Sequence, residues 1–399
     1  MIDTIVLTLK TGMYTIFEPD NFSPSTRGLT DPTAGYYRLG GRSNITCKQN
    51  PTPSELQRGI YKPRLTVTKR INREGNFEIP LKIEFSIPKL VYGNNFDELT
   101  DSDFPAVIQK LKAVLKEMGV YTLEQHLINA PVSSVHYSKN IALTDYTTPY
   151  TYLSQLTKLN INKRLDTNRT DFRNEGHSYK YRANSFEIVF YDKIKDLQQA
   201  KISEKRAEEK DNALQLGLFD ILTKRKPLEV LRVEIRLNQR QKINQILKLI
   251  GKRVEPTFAN IFNQDTAKKV LLHYINEIEE AYPPLLNYQC NSPKKLFTGF
   301  LTANPKIKLT LALKMLGLRV LLDEMGVREF REMTKRYSSS TWYSLNKEMK
   351  RLDNTDKVSV FSLLRKQIAE FEPLKLVAIQ NEMINNDKYG RFTRLEKAL

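Results

Sequence analysis

At 399 residues the chain is long enough for two or three domains, and a composition of 40% apolar and 27% charged residues excludes a disordered polymer. Lys and Arg number 63 against 45 Asp and Glu, and the resulting net charge of +18 points to a polyanionic partner, whose phosphates release counterions when neutralised. The cysteines, Cys47 and Cys290, exclude a disulfide framework or a thiolate metal site and fit a reduced, cytoplasmic setting. No apolar run is long enough to span a membrane.

In chain order, the opening MIDTIVLTLK carries an acid at Asp3 in a short apolar stretch, and reads as a strand rather than a signal peptide. Period-two alternation predicts strands at Thr4–Leu9, Arg64–Lys69, Leu81–Ile87, Ser133–Ile141, Phe186–Tyr191 and Glu229–Leu237. Helical spacing predicts a helix over Phe104–Glu117. A second, long and charged and free of Gly and Pro, is predicted over Lys193–Leu216. The polar stretch Asn160–Gly176 fits a basic hairpin arm or a plain loop. From about residue 256 the pattern turns helical. The expected fold is α+β: an antiparallel sheet over 1–255 with one open polar face and helices on the other, then a mostly α-helical domain over 256–399.

Alternation also sorts the strands into faces. Leu81, Ile83, Phe85 and Ile87 share an apolar face, with Glu84 on the other side. His136 lies with Ser134, Ser138 and Asn140, opposite Val135, Tyr137 and Lys139. Tyr191 shares its side with Glu187 and Val189, and Glu234 projects between Arg232 and Arg236. If these strands share one sheet, its polar face carries Glu84, His136, Tyr191 and Glu234. Two carboxylates and an imidazole can hold a hard or borderline divalent ion, which polarises a phosphodiester for in-line displacement. A tyrosine hydroxyl, with an ordinary pKa of about 10, needs a metal or a cation such as Lys193 to become a nucleophile. Each residue also has an ordinary reading. Glu84 can be a solvated strand acid, His136 a half-buried histidine, and Glu234 one rung of a cross-strand ion-pair ladder.

The MID opening, IEFSIPKLVYGNNF around Glu84, FYDK around Tyr191 and LRVEIRL around Glu234 occur in an order that resembles the gene II/X family of phage and plasmid replication proteins. They resemble, more distantly, the trans-acting rolling-circle initiators of Gram-positive plasmids. The resemblance covers roughly residues 1–245, with a weaker echo in SSSTWYSLNKEM. It implies a metal-dependent, site-specific single-strand endonuclease and strand transferase that nicks an origin and joins the 5′ phosphate covalently. Tyr191 falls on the family's nucleophile, followed by Lys193, and Glu84 and Glu234 fall on its early and late acids. His136 falls where relatives carry an aspartate, which shifts the expected metal from Mg²⁺ toward Mn²⁺. Lys180, Arg232 and Arg236 are the cations assigned to backbone phosphates. His177 is either a second acid/base group or a turn cap. The expected partners are single-stranded and origin DNA, a host polymerase and, because the chain has no phosphate-binding Gly-Lys-Ser/Thr loop, a host helicase in a bacterial cytoplasm.

Toward the C-terminus, Leu309–Met325 is apolar on more than one side and is expected to be a buried helix. Val327–Arg336, the serines 338–340 and Thr341–Leu352 then fit a helix-turn-helix over 327–352 that would present Tyr343, Asn346, Lys347 and Lys350 to a duplex. An αα-hairpin packed through Trp342 and Leu345 fits equally. Two other functions share these features. One is a relaxase or single-strand transposase with the same chemistry, and the other a DNA-binding regulator whose sheet is only a platform.

Overall fold

Strands that alternate apolar and polar side chains can bury one face only if something covers it, and here the covering layer comes from both halves of the chain. The computed structural model describes residues 1–29, 45–71, 76–143, 147–159, 171–173, 177–196, 229–287, 292–334, 337, 339–352 and 361–375. In chain order the strands are β1 (Ile2–Leu9), β2 (Tyr14–Ile16), β3 (Ile45–Gln49), β4 (Arg64–Ile71), β5 (Phe77–Glu78) and β6 (Leu81–Ser86). They continue as β7 (Val120–Thr122), β8 (Val132–Ala142), β9 (Asp171–Arg173), β10 (Ser178–Arg182), β11 (Phe186–Asp192) and β12 (Val230–Leu237). The main sheet runs β3-β4-β6-β1-β8-β12-β11-β10-β9, with β5 hydrogen-bonded to β4, and every recorded pairing is antiparallel. The α+β class is therefore as expected. Of the polar stretch 160–176, residues 171–173 form the edge strand β9, and the rest lies outside the described residues.

The apolar face is lined by Leu81, Ile83, Phe85, Val135, Tyr137, Ile188, Phe190, Leu231, Val233 and Ile235, all essentially without solvent contact. Each such side chain contributes roughly 1.5–3 kcal/mol of burial. Helix Pro149–Thr157 covers β10 and β11, while Arg240–Leu249 and Gln264–Ala281 cover β8 and β12. Tyr274 of the last helix packs on Phe186 with ring centroids 5.3 Å apart. The helix predicted over Phe104–Glu117 forms with those bounds and brings Phe104 against Phe258 at 5.1 Å.

Contacts cross the domain boundary expected at 255/256. The backbone crosses it with Val132 N–H donating to Pro256 O at 2.8 Å and Phe258 N–H donating to Ala130 O at 2.9 Å. Further on, Leu374 N–H donates to Glu98 Oε2 at 3.0 Å, and Glu98 N–H to Leu374 O at 3.1 Å. One apolar cluster runs from Met1 to Phe371. The helices after residue 255 thus complete the core of the sheet, because a sheet with one apolar face has no stable form until that face is covered.

The helix expected to be buried over Leu309–Met325 is part of Leu309–Thr334, and among the described residues only one side is covered. Ala312, Met315, Leu318 and Leu322 pack inward, while Leu309 and Leu313 are more than half exposed. Gly326 breaks it at φ 72° and ψ 172°, a region only glycine occupies readily. A Cβ at that position would lie 2.9 Å from Lys158 Cα, and Val327 N–H donates to Lys158 O at 2.9 Å. The break turns the segment after Gly326 onto the strand–helix body. A short connection then leads to helix Ser339–Met349. Trp342 packs on Phe330 at 6.0 Å, Leu345 and Met349 are buried, and Lys314 pairs with Glu348 at 2.6 Å. Tyr343, Lys347 and Lys350 are exposed and Asn346 is half-buried. Among the described residues, no helix is long and apolar enough to cross a membrane.

Candidate active site

Register builds the site row by row. Ser178, Tyr191, Arg232 and Asn140 lie side by side across β10, β11, β12 and β8. Lys180, Val189, Glu234 and Ser138 form the next row, and Arg182, Glu187, Arg236 and His136 the third. Because side chains two apart on a strand share a face, the rows stack into one polar patch. His136, Tyr191 and Glu234 therefore come together as their alternation predicted.

The patch is filled rather than open. Glu234 is 2% exposed, with Arg236 Nε at 3.0 Å and His136 Nδ1 at 3.4 Å from Oε1. Burial would raise the Glu234 carboxyl, but Arg236, His136 and Arg232 outweigh it and hold the group well below the usual carboxylate range. Arg236 reaches Glu187 as well, at 3.4 Å, and Lys180 and Arg182 approach Glu187 at 3.6 and 3.8 Å. The ladder of ion pairs weighed as the ordinary reading of Glu234 is present.

The three cations assigned to phosphates are all engaged by this arrangement. Arg232 is 2% exposed and out of reach of any strand of nucleic acid. Its Nη2 contacts Asp3 Oδ1 at 2.9 Å and donates to Ser138 Oγ at 3.0 Å. Its Nη1 donates to Asn95 O at 2.7 Å and Asn140 Oδ1 at 3.2 Å. Lys180 and Arg236 are half-buried and engaged by the carboxylates just named. Burial, helped by Arg236, lowers the Lys180 ammonium from its ordinary value.

Tyr191 is half-buried at the end of the patch nearest Arg232. Burial pushes its hydroxyl well above the ordinary tyrosine value; Arg232 draws it down and Glu234 pushes it up. Lys193 follows at the strand-to-helix junction, 1% exposed, with Nζ donating to Asn95 Oδ1 at 2.6 Å. Burial and then Arg232 depress this ammonium to about 7. Residues 193–196 are helical as predicted, and the rest of the helix predicted to Leu216 lies outside the described residues. His177 flanks the same end. Its carbonyl accepts from Asp192 N–H at 2.9 Å, and its Nε2 lies 2.9 Å from Lys195 Nζ.

Glu84 does not join them. It is exposed on β6, opposite Arg64 and Val6, and β1 and β8 stand between it and Glu234. Three strand spacings make that separation roughly 14 Å before any offset along the strands. The expected Glu84–His136–Glu234 metal set is thus not assembled, and no group of three or more His, Cys, Asp or Glu among the described residues can hold a metal ion. Of that set only His136 and Glu234 are neighbours, and Glu234 is also paired with the Arg236 guanidinium.

Sequence reasoning missed Asp3, Asn95, Ser138 and Asn140 as site residues. Ser138 and Asn140 were visible by alternation with His136. Asp3 was not, since a register shift between Ile2 and Ile5 turns it onto the polar face. Compared with protein-family models, with curated proteins and with solved structures, the chain matches none.

Proposed function

We propose that the protein initiates rolling-circle replication by nicking one DNA strand through Tyr191. The observation that carries this reading is the placement of Tyr191 beside a buried guanidinium, Arg232, on the polar face of an antiparallel sheet in a chain of net charge +18. Tyr191 Oη would form a bond to phosphorus as the P–O3′ bond breaks. The phenol proton ends on the departing 3′ oxygen, so one phosphodiester bond is exchanged for another and no co-reactant is consumed. Arg232 favours the developing phenolate and is fixed before substrate arrives, which is the economical way to stabilise transition-state charge. A host polymerase would extend the 3′ hydroxyl behind a host helicase, and the exposed Tyr343, Lys347 and Lys350 would approach the origin duplex. No step is assigned to Mg²⁺ or Mn²⁺, because the expected ligands do not converge.

The test is covalent capture. Full-length protein is incubated with internally labelled circular and 3′-end-labelled linear single strands, denatured and resolved by size. The expected result is a label that stays with the protein through denaturation and is lost in Tyr191→Phe. The ion-pair ladder around Glu187 and Glu234 favours a second reading, a DNA-binding regulator without cleavage. Binding with no adduct under any condition would select it.

A second outcome follows from the separation of the acids. Glu84→Ala should leave single-turnover cleavage within about twofold of wild type, whereas Glu234→Gln, which releases Arg236 and His136 from the carboxylate that fixes them on the polar face, should slow it by about 100-fold or more. Equal losses would place Glu84 back in the reacting centre.

A further inference from the structure

The same face of the sheet carries a concavity at the opposite end of its strands from Tyr191. Thr8 and Lys82, directly paired across β1 and β6, form its floor, with Ser133 Oγ 3.5 Å from Thr8 Oγ1. The cleft holds about 520 Å³ and its rim is basic. Lys10, Lys82 and Arg240 line it and are all exposed, while the only acid among its described lining residues, Glu78, is engaged by Arg70. Phe77 adds an aromatic ring that is 46% exposed, with Lys69 Nζ 5.0 Å from the ring centroid. Three cations around one exposed ring are the parts of a single-strand binding surface: charges for the backbone and a platform for a base. They come from the residue after β1, from β6 and from the start of the helix after β12, so only the folded sheet brings them together.

The position gives the cleft its role. Asn140 lies level with Tyr191 through Arg232, and Ser133 is seven residues further along β8, roughly 23 Å at strand rise. A strand whose scissile phosphate sits at Tyr191 would have to run several nucleotides along the sheet to reach it. We infer that this cleft is a second subsite for single-stranded DNA, holding backbone phosphates on Lys10, Lys82 and Arg240 and stacking a base on Phe77. The choice of DNA as occupant rests on the reading of Tyr191 as the nicking residue; the cations, the ring and the cavity stand without it.

The experiment is fluorescence polarisation of labelled oligo-dT with the full-length protein in EDTA, using lengths of about 4 and about 16 nucleotides. The variants are Lys10→Ala/Lys82→Ala/Arg240→Ala, Phe77→Ala and the charge-conserving Lys82→Arg, each checked for wild-type thermal unfolding. The triple variant should bind the longer oligomer at least about tenfold more weakly and bind the shorter one as wild type does. Its slope of log affinity against log salt should fall by about 2, the release expected from three phosphates on a single strand. Phe77→Ala should weaken the longer oligomer by at least about fivefold, and Lys82→Arg should bind normally. Wild-type affinity and salt slope in the triple variant would overturn the subsite while leaving the nicking reading, which covalent capture tests separately. Failure of the wild-type protein to bind either oligomer would overturn both.

Discussion

Arg232→Ala will lower the unfolding free energy by about 3–5 kcal/mol, the loss that follows when one partner of a buried ion pair is removed. The argument rests on what would be left behind. Asp3 Oδ1, Asn95 O, Asn140 Oδ1 and Ser138 Oγ all face the guanidinium at 2.7–3.2 Å, and the side chain is 2% exposed. Alanine would strand a carboxylate and a backbone carbonyl away from water, and unmet buried groups retain their full desolvation penalty. Burial raises the Asp3 carboxyl, yet Arg232, followed by Lys193 and Lys89, brings it below its ordinary value. The pair's contribution is therefore complete at neutral pH and is lost as pH falls through the depressed folded value. Urea unfolding at pH 7 measures the loss, and Asp3→Ala/Arg232→Ala should lose at least about 1 kcal/mol less than the two single changes added together. Additive losses, or an Arg232→Ala loss under about 1 kcal/mol, would mean that water already reaches this pair. Covalent capture by the same variant separates two roles: a folded Arg232→Ala protein that still joins DNA at the wild-type rate would confine Arg232 to stability.

Much of this arrangement is legible in the sequence. Alternation alone placed His136 with Ser138 and Asn140, Tyr191 with Glu187, and Glu234 with both arginines, and register then set them side by side. The limits of the pattern are physical. Alternation says which face a residue takes but not how many strands separate it from another, and so Glu84 could be grouped with Glu234 although β1 and β8 lie between them. It also assumes an unbroken strand, and the register shift near Ile2 hid Asp3. Charge was misread for a third reason. Arg232 and Arg236 contribute to a surplus that attracts polyanions, but a sequence does not show that carboxylates on neighbouring strands claim them first. Of the cations that line the cleft, Lys10 and Arg240 stand past a strand end and at a helix start, where periodicity is silent. Likewise, helical spacing after residue 256 said nothing of where those helices dock, and they proved to be the other side of the sheet's own core.

Lys193 supplies the second large effect, and its sign is opposite to that of Arg232. Its ammonium is buried beside another cation, Arg232, and its folded value falls to about 7. An unfolded lysine titrates near 10.4, so between about 7 and 10.4 the unfolded chain binds more protons at this site than the folded one. Stability attributable to this residue must then rise with pH. The penalty for burying the charge is present in full below about pH 7, shrinks across that window and is gone above about 10.4. Integrated over it, the change is roughly 3–5 kcal/mol. Lys193→Met keeps the volume and removes the titration, although it leaves Asn95 Oδ1 without its donor, a loss that does not vary with pH. The measured quantity is therefore the difference in unfolding free energy between wild type and Lys193→Met, followed from pH 6 to pH 10.5. That difference should move in favour of wild type by roughly 3–5 kcal/mol as pH rises. A flat difference would show that Lys193 stays charged throughout, and would leave Tyr191 with a permanently cationic neighbour. The predicted slope instead provides a lysine that is partly neutral near physiological pH, two residues from a hydroxyl that must lose its proton to attack.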